Sequence, residues 1–330
     1  MRLNFTSKTT ADCAEYLKVV YDNQEYTLSD FSEKFKETEF QLDSMLSSCE
    51  IIYKGTKYTF DDYKERRLSF SNSLPLFTRY SDEILPIEIH LSISNFDYYK
   101  AAKFLEKAET CLQTARYYLM QGEDIIEYDC NLPWKYGYQL VFDIRTTNFT
   151  TAIIWYNNCF DYILQIAFLA FCLYKKMPRF RENMQFEEIL KLCTFKSIRE
   201  LHESNSDNQG LNELWIILKE CHDSISDLNE WANYLKHKGG IGIVGLKPDS
   251  PFQVYIGKPG ESPESRTSEF ESIKLDLDES IIKTRDMHNS LICCLNRLVD
   301  FIGFENAKFS IDEEGRYVIP ERNSYMKIDF

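Results

Sequence analysis

The spacing of apolar positions changes along the chain. Up to about Asn95, short strand-like runs such as "EIIYKGTKYTF" and "IEIHLSI" stand beside the helical run "LSDFSEKFKETEFQLDSMLSS", which predicts an α+β extension over residues 1–96. From Asp97 the period becomes helical. In "DYYKAAKFLEKAETCLQTARYYLMQ", Ala102, Leu105, Ala108, Leu112 and Ala115 recur at steps of three and four, and Gly122 closes the pattern. A second helix is expected to start at Thr146 or Thr147, either suited to cap it, and to run to about Lys176 before Pro178. A shorter helix covers "FEEILKLCTFKSIREL", another runs from Leu211 to about His237, and a last long one spans Leu277 to Phe301.

The stripe Leu277, Ile281, His288, Leu291, Leu295 and Leu298 has the near-heptad spacing that antiparallel bundle packing requires. Between the last two helices the period switches at "FQVYIG", giving a strand and loop insertion near 240–275. The stretch "AKFSIDEEGRYVIP" reads as a hairpin within residues 306–330. The expected fold is mainly α: an antiparallel helical bundle over 97–305, with an N-terminal α+β extension and small C-terminal β-hairpin elements.

Composition narrows the function. A chain of 330 residues, 44% hydrophobic, can bury a core without metals or disulfides. Its ten cysteines form no C-x-x-C pair and mostly sit among apolar residues, and "MRLNFTSKTT" carries no signal-peptide pattern. Reduced, buried thiols in a cytoplasmic protein are expected, with no metal and no cofactor. The most apolar segment, "ILQIAFLAFCLY", is too short for a bilayer, so no membrane association is expected. The net charge of −14 opposes general binding to polyanions, although "KKMPRFR" and the stretch from Trp231 to Gly260 are locally basic.

"NYLKHKGGIGIVG", residues 233–245, combines a G-x-G-x-x-G run with Asn233 and His237. The glycines follow a helix and precede two prolines and a strand, so no helix N-terminus is offered to a phosphate and a dinucleotide site is excluded. Asn233 and His237 are four apart and share a helix face distinct from the apolar one.

"NYLKHKG" at the end of a helix, within a bundle of long helices, resembles the HEPN superfamily over roughly residues 97–304. In that family an Arg, usually followed by a polar residue such as Asn, precedes a His by four to six residues. Here Asn233 and His237 match the polar residue and the histidine, and Ala232 stands where the arginine would be. The resemblance implies a homodimer whose cleft binds RNA, with metal-independent endoribonuclease chemistry in a prokaryotic defence or toxin system. An antitoxin or defence-system partner protein is also implied. The alternative is a catalytically inactive HEPN module that binds RNA, a nucleotide or a protein partner.

Metal-free cleavage needs a base for the ribose 2′-hydroxyl, an acid for the leaving oxygen and a cation for charge developing on the phosphate. His237 would serve the first two, Asn233 would orient the phosphate, and Lys236 or Lys238 would supply point charges without an arginine's bidentate fork. In "WYNNCFDYILQI", Asn157 and Asp161 lie four apart on a mostly apolar helix. Asp161 fits an orienting carboxylate for His237, with Asn157 beside it at the substrate, and equally fits a structural hydrogen-bond network. His288 lies on an apolar stripe as a core histidine. "CHD" at 221–223 cannot form a relay, because consecutive helix residues point apart.

Overall fold

The computed structural model describes residues 2–4, 18–21, 24–27, 51–125, 137–237, 241–244 and 273–328. The chain divides into two units, residues 1–69 and 70–330. The helical run within 28–48 and the strand "FQVYIG" fall outside the described residues.

In the first unit, β1 (Arg2–Asn4), β2 (Lys18–Tyr21) and β3 (Gln24–Thr27) form an antiparallel sheet in that order. β4 (Ile51–Tyr53) and β5 (Thr56–Tyr58) form a hairpin. Its two turn residues, Lys54 (φ 47°) and Gly55 (φ 80°), both take the left-handed backbone that a two-residue hairpin turn demands. Helix α1 (Phe60–Asn72) opens on a capping box: the Thr59 hydroxyl accepts from Asp62 N at 3.1 Å, and Asp62 accepts from Thr59 N at 2.8 Å.

The second unit is helical. "IEIHLSI" is not a strand but part of helix α2 (Glu88–Ser94), entered through a 3₁₀ turn at Leu85–Ile87 that carries Pro86. Its apolar residues at every second position satisfy either period. The helix buries Ile87 and Leu91, one turn apart, and leaves Ile89 and Ile93 at 72% and 55% exposure.

Helix α3 (Phe96–Glu123) is capped by Asn95, whose side chain accepts from the N–H groups of Asp97 and Tyr98 at 3.1 Å each. Helix α4 spans Gly137–Ala170, starting well before Thr146. The Thr146 and Thr147 hydroxyls bond back to the carbonyls of Phe142 and Asp143 instead of capping the helix. α4 ends before Cys172, whose φ of 54° turns the chain into a 3₁₀ segment at Leu173–Lys176.

α3 and α4 are antiparallel. Gly122 near the end of α3 lies against the Arg145 and Phe149 backbone, the Cys111 thiol donates to Trp155 O at 3.0 Å, and the Cys172 thiol pairs with Asp97 at the other end. A Cβ on Gly122 would stand 3.3 Å from both Arg145 O and Phe149 N, so the missing side chain permits this close approach.

The region expected to hold one short helix contains two, α5 (Phe186–Leu190) and α6 (Phe195–Ser204), the second capped by Thr194. The helix expected from Leu211 to His237 is broken at Ile225 into α7 (Gln209–Ser224) and α8 (Ser226–His237). Helix α9 (Leu277–Ile302) starts on an Asp276 cap and stops at Gly303, which has φ 64°.

Every residue of the stripe read from α9, His288 included, is buried. α9 runs parallel to α4, as three successive pairs show: Asp278 with Arg145, His288 with Tyr156, and Phe301 with Phe171. β6 (Gly242–Ile243) pairs in parallel with β7 (Lys274–Leu275), so part of the glycine-rich run is itself a strand. β8 (Ser310–Ile311) and β9 (Tyr317–Val318) form the expected hairpin.

Candidate functional site

α8 packs on α4 through Trp231, whose ring lies 5.9 Å from that of Phe149, and through Leu228 and Ala232, both fully buried. This fixes the rotation of the helix. With positions 228, 231 and 232 inward, Asn233 and His237 fall on the far side and Lys236, one turn after Ala232, stands at the flank of the buried face; all three are exposed. Asn233 and His237 thus share a solvent-facing surface at the helix C-terminus, where the carbonyl ends favour cations such as Lys236. Lys238 lies outside the described residues.

α4 brings Asp161 to this surface. Asp161 is exposed, yet the protein mass around its carboxyl pushes its pKa above the ordinary value and the Lys236 charge pulls it back; its contact with water screens both effects. Asn157, one turn earlier, is half-buried. Among the described residues no hydrogen bond joins Asp161 to Asn233 or His237, so the charge partner of Asp161 here is Lys236.

Ala232, which stands where the HEPN motif has its arginine, is 0% exposed, so this position faces the core between α8 and its neighbours. A guanidinium attached there would have to be desolvated before it could reach any phosphate.

Other titratable clusters resolve as structural. Both His288 nitrogens are used, Nδ1 with the Tyr156 hydroxyl at 3.0 Å and Nε2 with Pro75 O at 2.9 Å, and burial lowers its pKa to about 4. Of "CHD", Cys221 is buried, while the His222 ring stacks on Phe195 at 3.8 Å. Seven described cysteines are free, six of them buried. Among the described residues no cluster of His, Cys, Asp and Glu could hold a metal ion, and no helix is long and apolar enough to cross a membrane.

Two clusters were not foreseen. Arg145, 1% exposed, donates from Nε to Gly122 O at 2.8 Å and from Nη2 to Asp278 at 2.7 Å, tying α3, α4 and α9 together. Arg322 reaches Asp97 at 3.1 Å and the Cys172 thiol at 3.4 Å. Burial and a hydrogen bond to Asp97 push the Cys172 thiol up, so it stays a neutral donor and is not poised as a nucleophile. Burial works to raise the Asp97 carboxyl, but Cys172, Lys100 and Arg322 outweigh it and hold the carboxyl low. No local signal marks this group, since 150 residues separate Cys172 from Arg322.

A cavity of about 650 Å³ opens between Lys176–Pro178 and the loop joining α6 to α7. It takes in three residues of the "KKMPRFR" patch, of which Lys176 alone is charged, and its lining sets Lys176 against Glu200 and Asp207, selecting no single sign of charge. No protein-family model, no curated protein and no solved structure matches this chain.

Proposed function

We propose that the face formed by α8 and the Asp161 region of α4 is the RNA-binding surface of a HEPN-like helical module. Lys236 would meet the phosphate backbone, Asn233 and His237 would supply hydrogen bonds, and Asp161 would position Lys236. The observation that carries this reading is the rotation of α8, which exposes Asn233, Lys236 and His237 together while burying Ala232. That same rotation favours binding over cleavage, because the cation needed for charge developing on a phosphate cannot be supplied from position 232. With a net charge of −14 the chain repels a polyanion at long range, so binding must depend on this local surface and weaken steeply with salt.

A second reading, a metal-independent endoribonuclease of a prokaryotic defence or toxin system, is favoured by the exposure of His237, the one imidazole of the motif. One experiment separates the two. Labelled single-stranded RNA is titrated in EDTA with the wild type and with Lys236→Ala, Asn233→Ala and His237→Ala, and the RNA is then run on a denaturing gel. Binding that weakens in the variants, with intact RNA, supports the binding module. Products ending in 2′,3′-cyclic phosphate that vanish with His237→Ala support the nuclease. Neither binding nor cleavage by the wild type removes both.

A further inference from the structure

Two thiols meet in the seam between α7 and α9. The seam runs antiparallel: Arg297 pairs with Glu220, while Lys283, earlier on α9, pairs with Asp227, later in the chain. Cys221 and Cys294 are 4% and 3% exposed in it. The Cys294 thiol donates to Ile217 O at 3.9 Å, the carbonyl that in a helix also receives the Cys221 N–H, so Cys294 sits over the turn that ends at Cys221. The Cys221 thiol donates in turn to Cys294, which brings the two sulfurs into direct contact. Cys159 lies close behind, but its thiol is turned to Ala108 O at 3.9 Å and takes no part.

Cys293 is the next residue of α9 and the one exposed cysteine among those described. It lies near enough to Cys221 for their charges to interact. The hydrogen bond to Cys294, together with burial, holds the Cys221 thiol well above the ordinary thiol range, so Cys221 is a poor first nucleophile for anything arriving from solvent. An oxidant therefore meets Cys293 first. Cys293 cannot bridge to Cys294, because neighbours on a helix point roughly 100° apart. The sulfurs of Cys221 and Cys294 need only close from hydrogen-bond contact to the ~2 Å of a disulfide.

We propose that Cys221 and Cys294 are a disulfide-forming pair, and that Cys293 is the exposed thiol through which a small-molecule disulfide oxidises them. Cys293, as its thiolate, attacks one sulfur of the oxidant; the S–S bond breaks, one small thiolate leaves, and a mixed disulfide remains on Cys293. Cys221 gives up its proton and attacks the Cys293 sulfur, expelling the second small thiolate and closing a Cys221–Cys293 bond. Cys294 then attacks the Cys221 sulfur, which closes Cys221–Cys294 and returns Cys293 to a free thiol. In sum two protein thiols are oxidised to a disulfide, and one small disulfide is reduced to two thiols that take up the two protons released. The crosslink lies one turn before the break at Ile225, so it fixes to α9 the end of α7 from which α8 starts. The inference stands apart from the RNA-binding reading, since none of the residues of the α8 face takes part in it.

The test incubates the native full chain with oxidised glutathione, quenches samples by alkylation, and locates each thiol and disulfide by fragmentation mass spectrometry. The wild type is expected to pass through a glutathione adduct on Cys293 and to accumulate the Cys221–Cys294 disulfide. Because that bond closes 73 residues of chain (294 − 221), the oxidised form should melt about 5 °C or more above the reduced form, and dithiothreitol should reverse both changes. Cys293→Ser, an exposed substitution that leaves the fold intact, should form the same disulfide about tenfold more slowly or worse. Cys221→Ala should stop at the Cys293 adduct. A wild type that stays fully alkylatable, or that stops at the Cys293 adduct, overturns the proposal. So does a disulfide that joins other positions, that forms at an unchanged rate in Cys293→Ser, or that appears only in urea.

Discussion

The His288 imidazole is held between the Tyr156 hydroxyl, 3.0 Å from Nδ1, and the Pro75 carbonyl, 2.9 Å from Nε2. A carbonyl only accepts, so Nε2 carries the proton and Nδ1 accepts from Tyr156. A second proton on Nδ1 would break that bond in the core, which accords with the folded pKa of about 4. The unfolded histidine titrates near 6.5, so between pH 6.5 and 4 the unfolded state binds more protons and stability falls as pH falls. At roughly 1.4 kcal/mol per unit the loss totals about 3 kcal/mol. Urea unfolding across that range should show the slope, and His288→Gln should flatten it while lowering stability at pH 7.

Placing an arginine at position 232, where the HEPN motif would have one, should damage the protein rather than activate it. Ala232→Arg places a guanidinium where the side chain is 0% exposed, at an expected cost of about 3 kcal/mol or more. Thermal melting should drop accordingly, whereas Asn233→Ala and His237→Ala, on the exposed face, should leave melting nearly unchanged. An Ala232→Arg variant of full stability that cleaves RNA would show that α8 can rotate to present position 232.

Gly210 should tolerate no side chain. A Cβ there would stand 2.0 Å from the Lys327 carbonyl, so Gly210→Ala must push residues 325–328 off the start of α7. That segment is otherwise held by the Asn95 bond to the Tyr325 hydroxyl at 3.0 Å and by Ile328, 2% exposed. Faster amide exchange at 325–328 in Gly210→Ala, with α3 and α4 unaffected, is the expected outcome.

Truncating Arg145 should be costly in a way that the loss of a surface ion pair is not. Arg145→Ala removes the hydrogen bonds to the Gly122 carbonyl and to Asp278 together with the packing of a side chain that is 1% exposed, an expected loss of about 3 kcal/mol. Arg145→Met, which keeps the packing, should lose less. The urea midpoints of the two variants decide it.

The mainly helical character was legible because α3 and α9 carry sustained apolar stripes whose buried residues are those the period names. "IEIHLSI" was misread because residues 87, 89, 91 and 93 are all apolar, and only tertiary packing decides that Ile89 and Ile93 stay in water. Thr146 misled because a threonine suited to an N-cap can also bond back within a helix, as its 2.7 Å contact with Phe142 O shows. The shared face of Asn233 and His237 follows from their spacing. The burial of Ala232 fits the apolar face read for the same helix, but its meaning for the arginine position needed the packing of Trp231 on Phe149. The Asp97, Cys172 and Arg322 group has no periodic trace, since it is assembled from residues up to 225 positions apart (322 − 97).

The parallel course of α4 and α9 sets an order of assembly. α3 and α4 meet through contacts such as Cys111 with Trp155, 44 residues apart, and can form a helical hairpin as soon as both exist. The contacts of α9 on α4 close loops of about three times that length, 132 residues for Tyr156 with His288 and 133 for Arg145 with Asp278. The threefold difference adds only about 1 kcal/mol of closure entropy. Its kinetic weight is larger, because during synthesis the α4 surface around Tyr156 must wait for α9 to emerge, exposing an apolar helix pair that a chaperone would recognise before the fold is complete.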